Sequence, residues 1–262
     1  FINALKVVGK KTAEVRVALI GAGSANICIA RLLMLYGVKP GNIIMTDSKG
    51  TLHKGRTELK ESHPEKWAMA VETNAGGVEG YIREAMENAD AVIALSTPGP
   101  DIIKKEWIGS MAKNPIVFAC ANPVPEIWPW EAKEAGAAVV ATGRSDFANQ
   151  VNNSLGFPGV FRGVLDVRAS TITDTMAITA AVELASCIAG NKIRPDKILP
   201  AMDDWKIFPK VAAAVGMRAI KEKVAARKMT KDALFAQACD MIKRSRGITQ
   251  TMMQKGYIKK FK

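Results

Sequence analysis

The chain has 262 residues, of which 48% are hydrophobic and 24% charged, enough for one large domain with an appendage and a sizeable core. No apolar run approaches the roughly 20 residues a membrane span needs, and four widely spaced cysteines (Cys28, Cys120, Cys187, Cys239), each in an apolar stretch, fit the reduced thiols of a cytoplasmic protein rather than a disulfide or zinc framework. The net charge of +12 sits in residues 192–262, with 18 basic against 6 acidic side chains, and reads as the solvated face of ordinary helices rather than a nucleic-acid or membrane surface.

Residues 1–9 (FINALKVVG) carry apolar positions at helical spacing, with no cap before them and no signal-peptide pattern. They read as the last turns of a longer helix, and the sequence as a piece of a larger protein. Residues 15–26, VRVALIGAGSAN, then give a short apolar strand, a glycine break and an immediate helix start. In that context Gly21 makes a tight turn. Gly23 lets a pyrophosphate approach the backbone, and the N–H groups from Ser24 onward point at it. Asn26 stands where a third glycine is usual. The helix buries Ile27, Ala30, Leu32, Leu33, Leu35 and Tyr36, and Gly37 caps it. A second apolar strand, residues 42–46, ends on Asp47, 21 residues after Asn26. An acid there accepts from a ribose 2′-OH.

Residues 48–50 are a turn, and residues 51–74 read as a loop with one short helix near 65–70. A helix over 78–88 places Tyr81, Ile82, Ala85, Met86 and Ala89 on one side. The run 91–95 is a strand covered on both faces, ending in a loop with Ser96, Thr97 and Gly99. Helix 103–113 leads to strand 116–121, which ends at Asn122 and the proline-rich VPE. Helix 129–135 leads to strand 138–141 and the outgoing loop 142–146. The alternation predicts an α/β fold, a doubly wound parallel sheet, with ligand bound outside the carboxyl ends of the strands. Those ends bring Gly21, Ala22, Gly23, Ser24, Asp47, Ser96, Thr97, Pro98, Gly99, Asn122 and residues 142–146 into one set.

Residues 146–168 look irregular, with Asn149, Asn152 and Asn153 beside Phe157-Pro158-Gly159. Polar amides before a rigid turn suit a loop covering a small polar ligand. Thr173 caps a long helix reaching Gly190, and two further helices are expected over 208–227 and 230–246. The domains expected are a dinucleotide-binding domain over 1–190, with 1–9 the end of a truncated helix, and a basic helical C-terminal segment over 191–262. Asp146 and Asp166 read as loop-ordering and helix-capping acids rather than a catalytic pair. Trp128 and Trp130 read as packing under the proline-rich loop.

The phrases GAGSANICIARLL, TDSKG, ANPVPEIWP, ATGRSDFANQVNN and FPGVFRGVLDVRA together resemble the C-terminal, NAD-binding domain of malic enzymes of the bacterial and archaeal type. The likeness runs from about Leu5 to Glu183, with LPAMDDWKIFPKVAAAV a looser match to the family's closing helices. It implies a Rossmann-like fold with a helical C-terminal extension. It also implies the oxidative decarboxylation of L-malate to pyruvate and CO2, with NAD(P) as hydride acceptor and Mg2+ or Mn2+ required. Residue by residue, it implies that Gly21, Ala22, Gly23, Ser24 and Ala25 form the pyrophosphate loop and that Asp47 is the ribose acid. Ser96, Thr97 and Gly99 then line the nicotinamide side. Asn122, also placed beside the cofactor, and Asn153 match malate-contacting asparagines, with Asn152 their neighbour.

The family's general acid, general base and metal ligands lie upstream of the glycine loop, in segments not present in this sequence. Tyr36, Tyr81 and Tyr257 match no catalytic position. The expectation is therefore no catalytic residue and no metal ligand in the chain itself, and an inactive fragment until its N-terminal domain is supplied. Lys49 beside Asp47 offers little to a 2′-phosphate that the acid would repel, so NAD is expected over NADP. Apolar faces at Leu5, Val8, Met217 and Ile220 suggest a homo-oligomer, a dimer or higher. Two other readings stay open: a dehydrogenase for another small hydroxy or amino acid, and a non-catalytic NAD-binding or partner-binding module.

Overall fold

Six strands form one sheet: β1 (Val17–Ile20), β2 (Ile43–Asp47), β3 (Gly50–Thr51), β4 (Ala91–Ala94), β5 (Ile116–Ala119) and β6 (Val139–Thr142). The computed structural model describes residues 1–188 and 190–259. The strand order is β3-β2-β1-β4-β5-β6, parallel except for β3, which runs antiparallel to β2 at the edge. The order reverses between β1 and β4, which makes the crevice beyond their carboxyl ends the topological switch point.

The parallel strands are largely apolar, with Thr46, Asp47 and Thr142 at carboxyl ends, because both faces are covered, and successive side chains go to opposite sides. Val17, Leu19, Ile43, Met45, Ile93, Ile116 and Phe118 enter one core with α1 (Ile2–Val8), α2 (Ser24–Tyr36) and the later helix α4 (Pro64–Glu72). Ala18, Ile20, Ile44, Val92, Val117 and Val140 enter the other, with α5 (Ile82–Met86), α6 (Lys105–Gly109) and α7 (Pro129–Glu134). The doubly wound α/β sheet is therefore as the sequence predicts.

Several local expectations are corrected. Leu35 faces solvent on α2, leaving Ile27, Ala30 and Leu33 as the buried stripe. The short helix expected near 65–70 is α4, but β3 and α3 (Leu59–Ser62) stand where only a turn and a loop are expected. The helix expected over 78–88 shrinks to α5, because Gly80 takes φ +132° and Tyr81 is extended, so Tyr81 is exposed. Leu5 is buried in the sheet core and offers no apolar face to a partner. Asn149 does not wait for a ligand. Its amide donates to the Val140 and Pro195 carbonyls at 2.9 and 2.7 Å and accepts from the Ile198 N–H at 2.9 Å.

The chain divides at Asn152/Asn153 rather than at Gly190. One unit is Phe1–Asn152 with Ile188–Leu199; the other is Asn153–Cys187 with Pro200–Lys262. The reason is packing on each side. The segment 188–199 returns to the sheet unit, where Ile198 joins the core and its carbonyl accepts from the Asn3 side chain. In the second unit, α8 (Phe157–Asp166), α9 (Asp174–Ser186), α10 (Ile207–Lys221) and α11 (Lys231–Gln254) surround Val164, Val167, Met176, Val211, Val215 and Leu234.

Helix α8 replaces the irregular loop expected there. Its glycines are contact surfaces: a methyl group on Gly163 would lie 2.4 Å from the Ala212 carbonyl of α10. Thr173 and Thr230 cap α9 and α11 as expected. Met217 and Ile220 remain partly buried against this core.

Candidate functional site

At the end of β1 the backbone makes the turn that the glycine pattern predicts. Gly21 takes φ +94°, and a methyl group there would lie 2.5 Å from the Leu95 carbonyl beyond β4, so the two strand ends touch only because this residue has no side chain. Asn26 turns the apparent defect in the motif into a brace. Fully buried, it donates from Nδ2 to the Ile20 and Gly21 carbonyls, both at 2.8 Å, tying the first turn of α2 to the strand that feeds it.

Gly23 is the N-cap of α2, and Gly23, Ser24 and Ala25 are exposed. A methyl group at Gly23 would meet nothing within 4 Å. No side chain caps the helix and no acid stands in its first turn. A 13-residue helix thus presents free N–H groups and its positive end to open space. This arrangement fits a pyrophosphate.

Asp47 ends β2, where the sequence puts it, but its surroundings are new. Arg56 Nη1 donates to Oδ1 at 2.8 Å, Lys66 Nζ to Oδ2 at 2.9 Å, and the Lys49 N–H to Oδ1 at 2.9 Å. The Asp47 and Arg56 side chains are only 8% and 9% exposed. Burial by itself would raise the Asp47 carboxyl, but the hydrogen bonds from Arg56 and Lys66 outweigh it and hold the group at about 2. The same pairing raises the Arg56 guanidinium against its own burial. Arg56 and Lys66 lie 9 and 19 positions beyond Asp47, in a polar stretch with no long periodic run to join them to it.

A third set of contacts joins the ends of β4 and β5. Glu126, fully buried, accepts from the Ser96 N–H at 2.9 Å and the Ser96 hydroxyl at 3.2 Å through Oε1, and from the Ala121 N–H at 3.0 Å through Oε2. One carboxylate therefore sets the loop with Ser96, Thr97 and Gly99 against the strand end that carries Asn122. Asn122 itself is exposed, next to a cis bond to Pro123. Gly143, leaving β6, gives it room: a methyl group there would lie 2.7 Å from the Asn122 amide nitrogen. Arg144 completes this edge, donating to the Pro123 carbonyl at 2.7 Å and pairing with Asp146, which explains Asp146 as a loop-ordering acid. Trp128 and Trp130 stack at 4.9 Å between ring centres, and Trp130 is exposed rather than packed under the loop.

A family model described as the malic enzyme NAD-binding domain matches residues 1–223. The chain belongs to the malic enzyme family. A bifunctional malic/malolactic enzyme of Bacillus subtilis is 45% identical over 224 residues, covering 86% of this chain and 53% of that protein. An NADP-dependent malic enzyme of Halomonas elongata is 38% identical over 242 residues, covering 86% and 55%. The crystal structure of Entamoeba histolytica malic enzyme superposes with a TM-score of 0.96 at 49% identity, covering all of this chain and 54% of that one. The chain therefore spans about half the length of the malic enzymes it matches.

The sheet unit brings Gly21, Ala22, Gly23, Ser24, Ala25, Asp47, Ser96, Thr97, Gly99 and Asn122 to the carboxyl ends of its strands. Asn152 ends that unit, while Asn153 opens a short 3-10 turn, Asn153–Leu155, in the other. Among the described residues no three His, Cys, Asp or Glu side chains cluster to hold a metal ion. Nor is any helix among them long and apolar enough to cross a membrane.

Proposed function

We propose that this chain is the cofactor-holding part of an enzyme that oxidises and decarboxylates L-malate to pyruvate and CO2, with NAD(P) taking the hydride. The observation that carries the reading is the uncapped, acid-free start of α2 beneath open space at the switch point. In this reading Gly21, Ala22, Gly23, Ser24 and Ala25 hold the pyrophosphate through backbone N–H groups. Asp47 and its cations face the adenosine ribose. Ser96, Thr97 and Gly99 border the nicotinamide, in a loop kept in place by Glu126. Asn122 donates its amide to a malate carboxylate, and Asn152 and Asn153 are proposed as further malate contacts. Neutral amides suit this task because they bind a dicarboxylate without bringing in another ionised group. When bound, the dinucleotide supplies the hydride acceptor. The chain's own residues bind and orient it, and no group here is assigned as general acid, general base or metal ligand. The full enzyme is proposed to be cytoplasmic and homo-oligomeric, with L-malate and pyruvate as its small-molecule partners.

Isothermal titration of the 262-residue chain with NAD, then malate, with and without Mn2+, tests this reading. Dinucleotide binding with no turnover of malate is the expected result. No binding at millimolar NAD would overturn it. Adding the N-terminal half of a malic enzyme in trans should restore NADH formation from malate.

A further inference from the structure

Helix α11 runs on after its packing ends. Its buried residues, Leu234 and Ala238, lie in its first third, and the Gln237 amide donates to Asp166 of α8 at 2.6 Å. From Cys239 to Gln254, about 24 Å of helix at 1.5 Å per residue, every side-chain hydrogen bond and ion pair among the described residues is internal to the helix. Gly247, Thr249 and Thr251 give this stretch little helix propensity of its own, and both threonine hydroxyls bond back to the preceding turn. A helix of that kind draws its stability from covering its apolar face.

That face is well defined. Met241, Ser245, Ile248 and Met252 fall within about 60° of one another around the helix, and Met241, Ile248 and Met252 are 41%, 57% and 38% exposed. Half-buried Ile242, Thr249 and Met253 widen the stripe on one side. By the same periodicity Arg246 borders it on one margin, and Arg244 and Lys255 on the other. From 239 to 259 the sequence carries five basic side chains and one acid, Asp240, which is already paired with Arg244 Nη2 at 2.6 Å. All of α11 lies beyond residues 1–223, the stretch that the family model matches.

A second copy of the helix would bring Arg244, Arg246 and Lys255 up against the same cations, with the one acid already engaged. A nucleic acid would neutralise the cations but leave Ile248 and Met252 in water. An anionic bilayer answers both features. The apolar stripe enters the boundary between headgroups and acyl chains, and the long basic side chains at its margins reach the lipid phosphates. We propose that the second half of α11 is a peripheral docking element that lies along an anionic lipid surface, with Met241, Ile248 and Met252 inserted. The proposal is independent of the dinucleotide site. It reverses the reading of the basic C-terminal segment as solvated helix surface alone.

The test is co-sedimentation of the chain with vesicles of phosphatidylcholine alone and with about one third phosphatidylserine. Binding should be at least about tenfold tighter to the anionic vesicles and should weaken as salt rises. Ile248→Gln with Met252→Gln, at exposed positions of the helix, keeps every charge and should weaken that binding about tenfold. Arg244→Gln with Arg246→Gln should weaken it by about tenfold or more. Circular dichroism confirms that both variants fold. No preference for anionic vesicles overturns the proposal. So does unchanged vesicle binding by the Ile248→Gln, Met252→Gln variant, because charge alone then suffices. A concentration-dependent dimer in sedimentation velocity that this variant breaks, without vesicle binding, gives the face to a second copy. Binding to duplex DNA in place of vesicles gives it to nucleic acid, and either result overturns the proposal.

Discussion

Neighbouring strands β1 and β2 end in opposite chemistry. Beyond β1 the donors are backbone N–H groups turned outward, with no side chain among the described residues capping them, and Asn26, fully buried, braces from behind. Beyond β2 the polar side chains are charged, and Arg56, Lys66 and the Lys49 N–H all donate to the Asp47 carboxylate. A site that must seat any dinucleotide is best built from main chain, which cannot be neutralised or moved aside. A site that must discriminate is built from ionised side chains whose balance sets the outcome. The two ends can therefore be broken separately.

The largest effect on stability is expected at Gly21. An alanine there meets both a left-handed backbone and the Leu95 carbonyl at 2.5 Å, which places the cost at about 3 kcal/mol in urea unfolding and abolishes nucleotide binding. Next is Asp47. Its carboxyl is held at about 2 in the folded chain and returns to the ordinary carboxylate range on unfolding. Its contribution is therefore complete above about pH 4 and fades as the pH falls toward 2. Asp47→Asn should cost on the order of 2 kcal/mol at neutral pH and flatten the stability profile between pH 4 and 2, measured by denaturant unfolding at stepped pH.

Asn26→Ala follows at about 1 kcal/mol. It removes two hydrogen bonds, but also a buried Oδ1 that has no partner among the described residues. The smallest effect on stability, within about 0.5 kcal/mol, is expected for Gly23→Ala, whose methyl group projects into open space. That same methyl group should block pyrophosphate approach and weaken NAD binding at least tenfold by calorimetry. A Gly23→Ala variant that binds normally would remove the main-chain half of the comparison.

The difference between the two ends also explains what the sequence disclosed. The β1 end is local: strand, Gly21, Gly23 and helix follow one another within a dozen residues, so a reader of the sequence meets them together. Strands β4, β5 and β6 were equally legible, because burial on both faces leaves an unbroken apolar run. The β2 end is assembled from residues 9 and 19 positions beyond Asp47, with no periodicity to join them. Glu126 was hidden for a similar reason: an acid in a proline-rich loop looks solvated until the fold closes Ser96 and Ala121 over it. Helix α8 is not legible in the sequence because Phe157-Pro158-Gly159 reads as a turn. In the fold Pro158 sits in the first turn of the helix, where its missing N–H costs nothing, and the α8 glycines admit α10 at close range.

The polypeptide passes from the sheet unit to the helical unit after Asn152, returns at Ile188 and leaves again after Leu199. Neither unit is thus a continuous stretch that one cut could release. A protease nicking the chain at 152/153 would leave residues 188–199 on the far fragment yet still seated against Asn149 and the sheet core. A nick at 199/200 would put α10 and α11 on one fragment while α8 and α9, which share their core, stay on the other. Singly clipped protein should accordingly elute from a sizing column as one particle and separate into pieces only in denaturant. A single cut thus yields two pieces of chain that packing inside one unit still holds together, a form of damage tolerance that comes from the route of the chain.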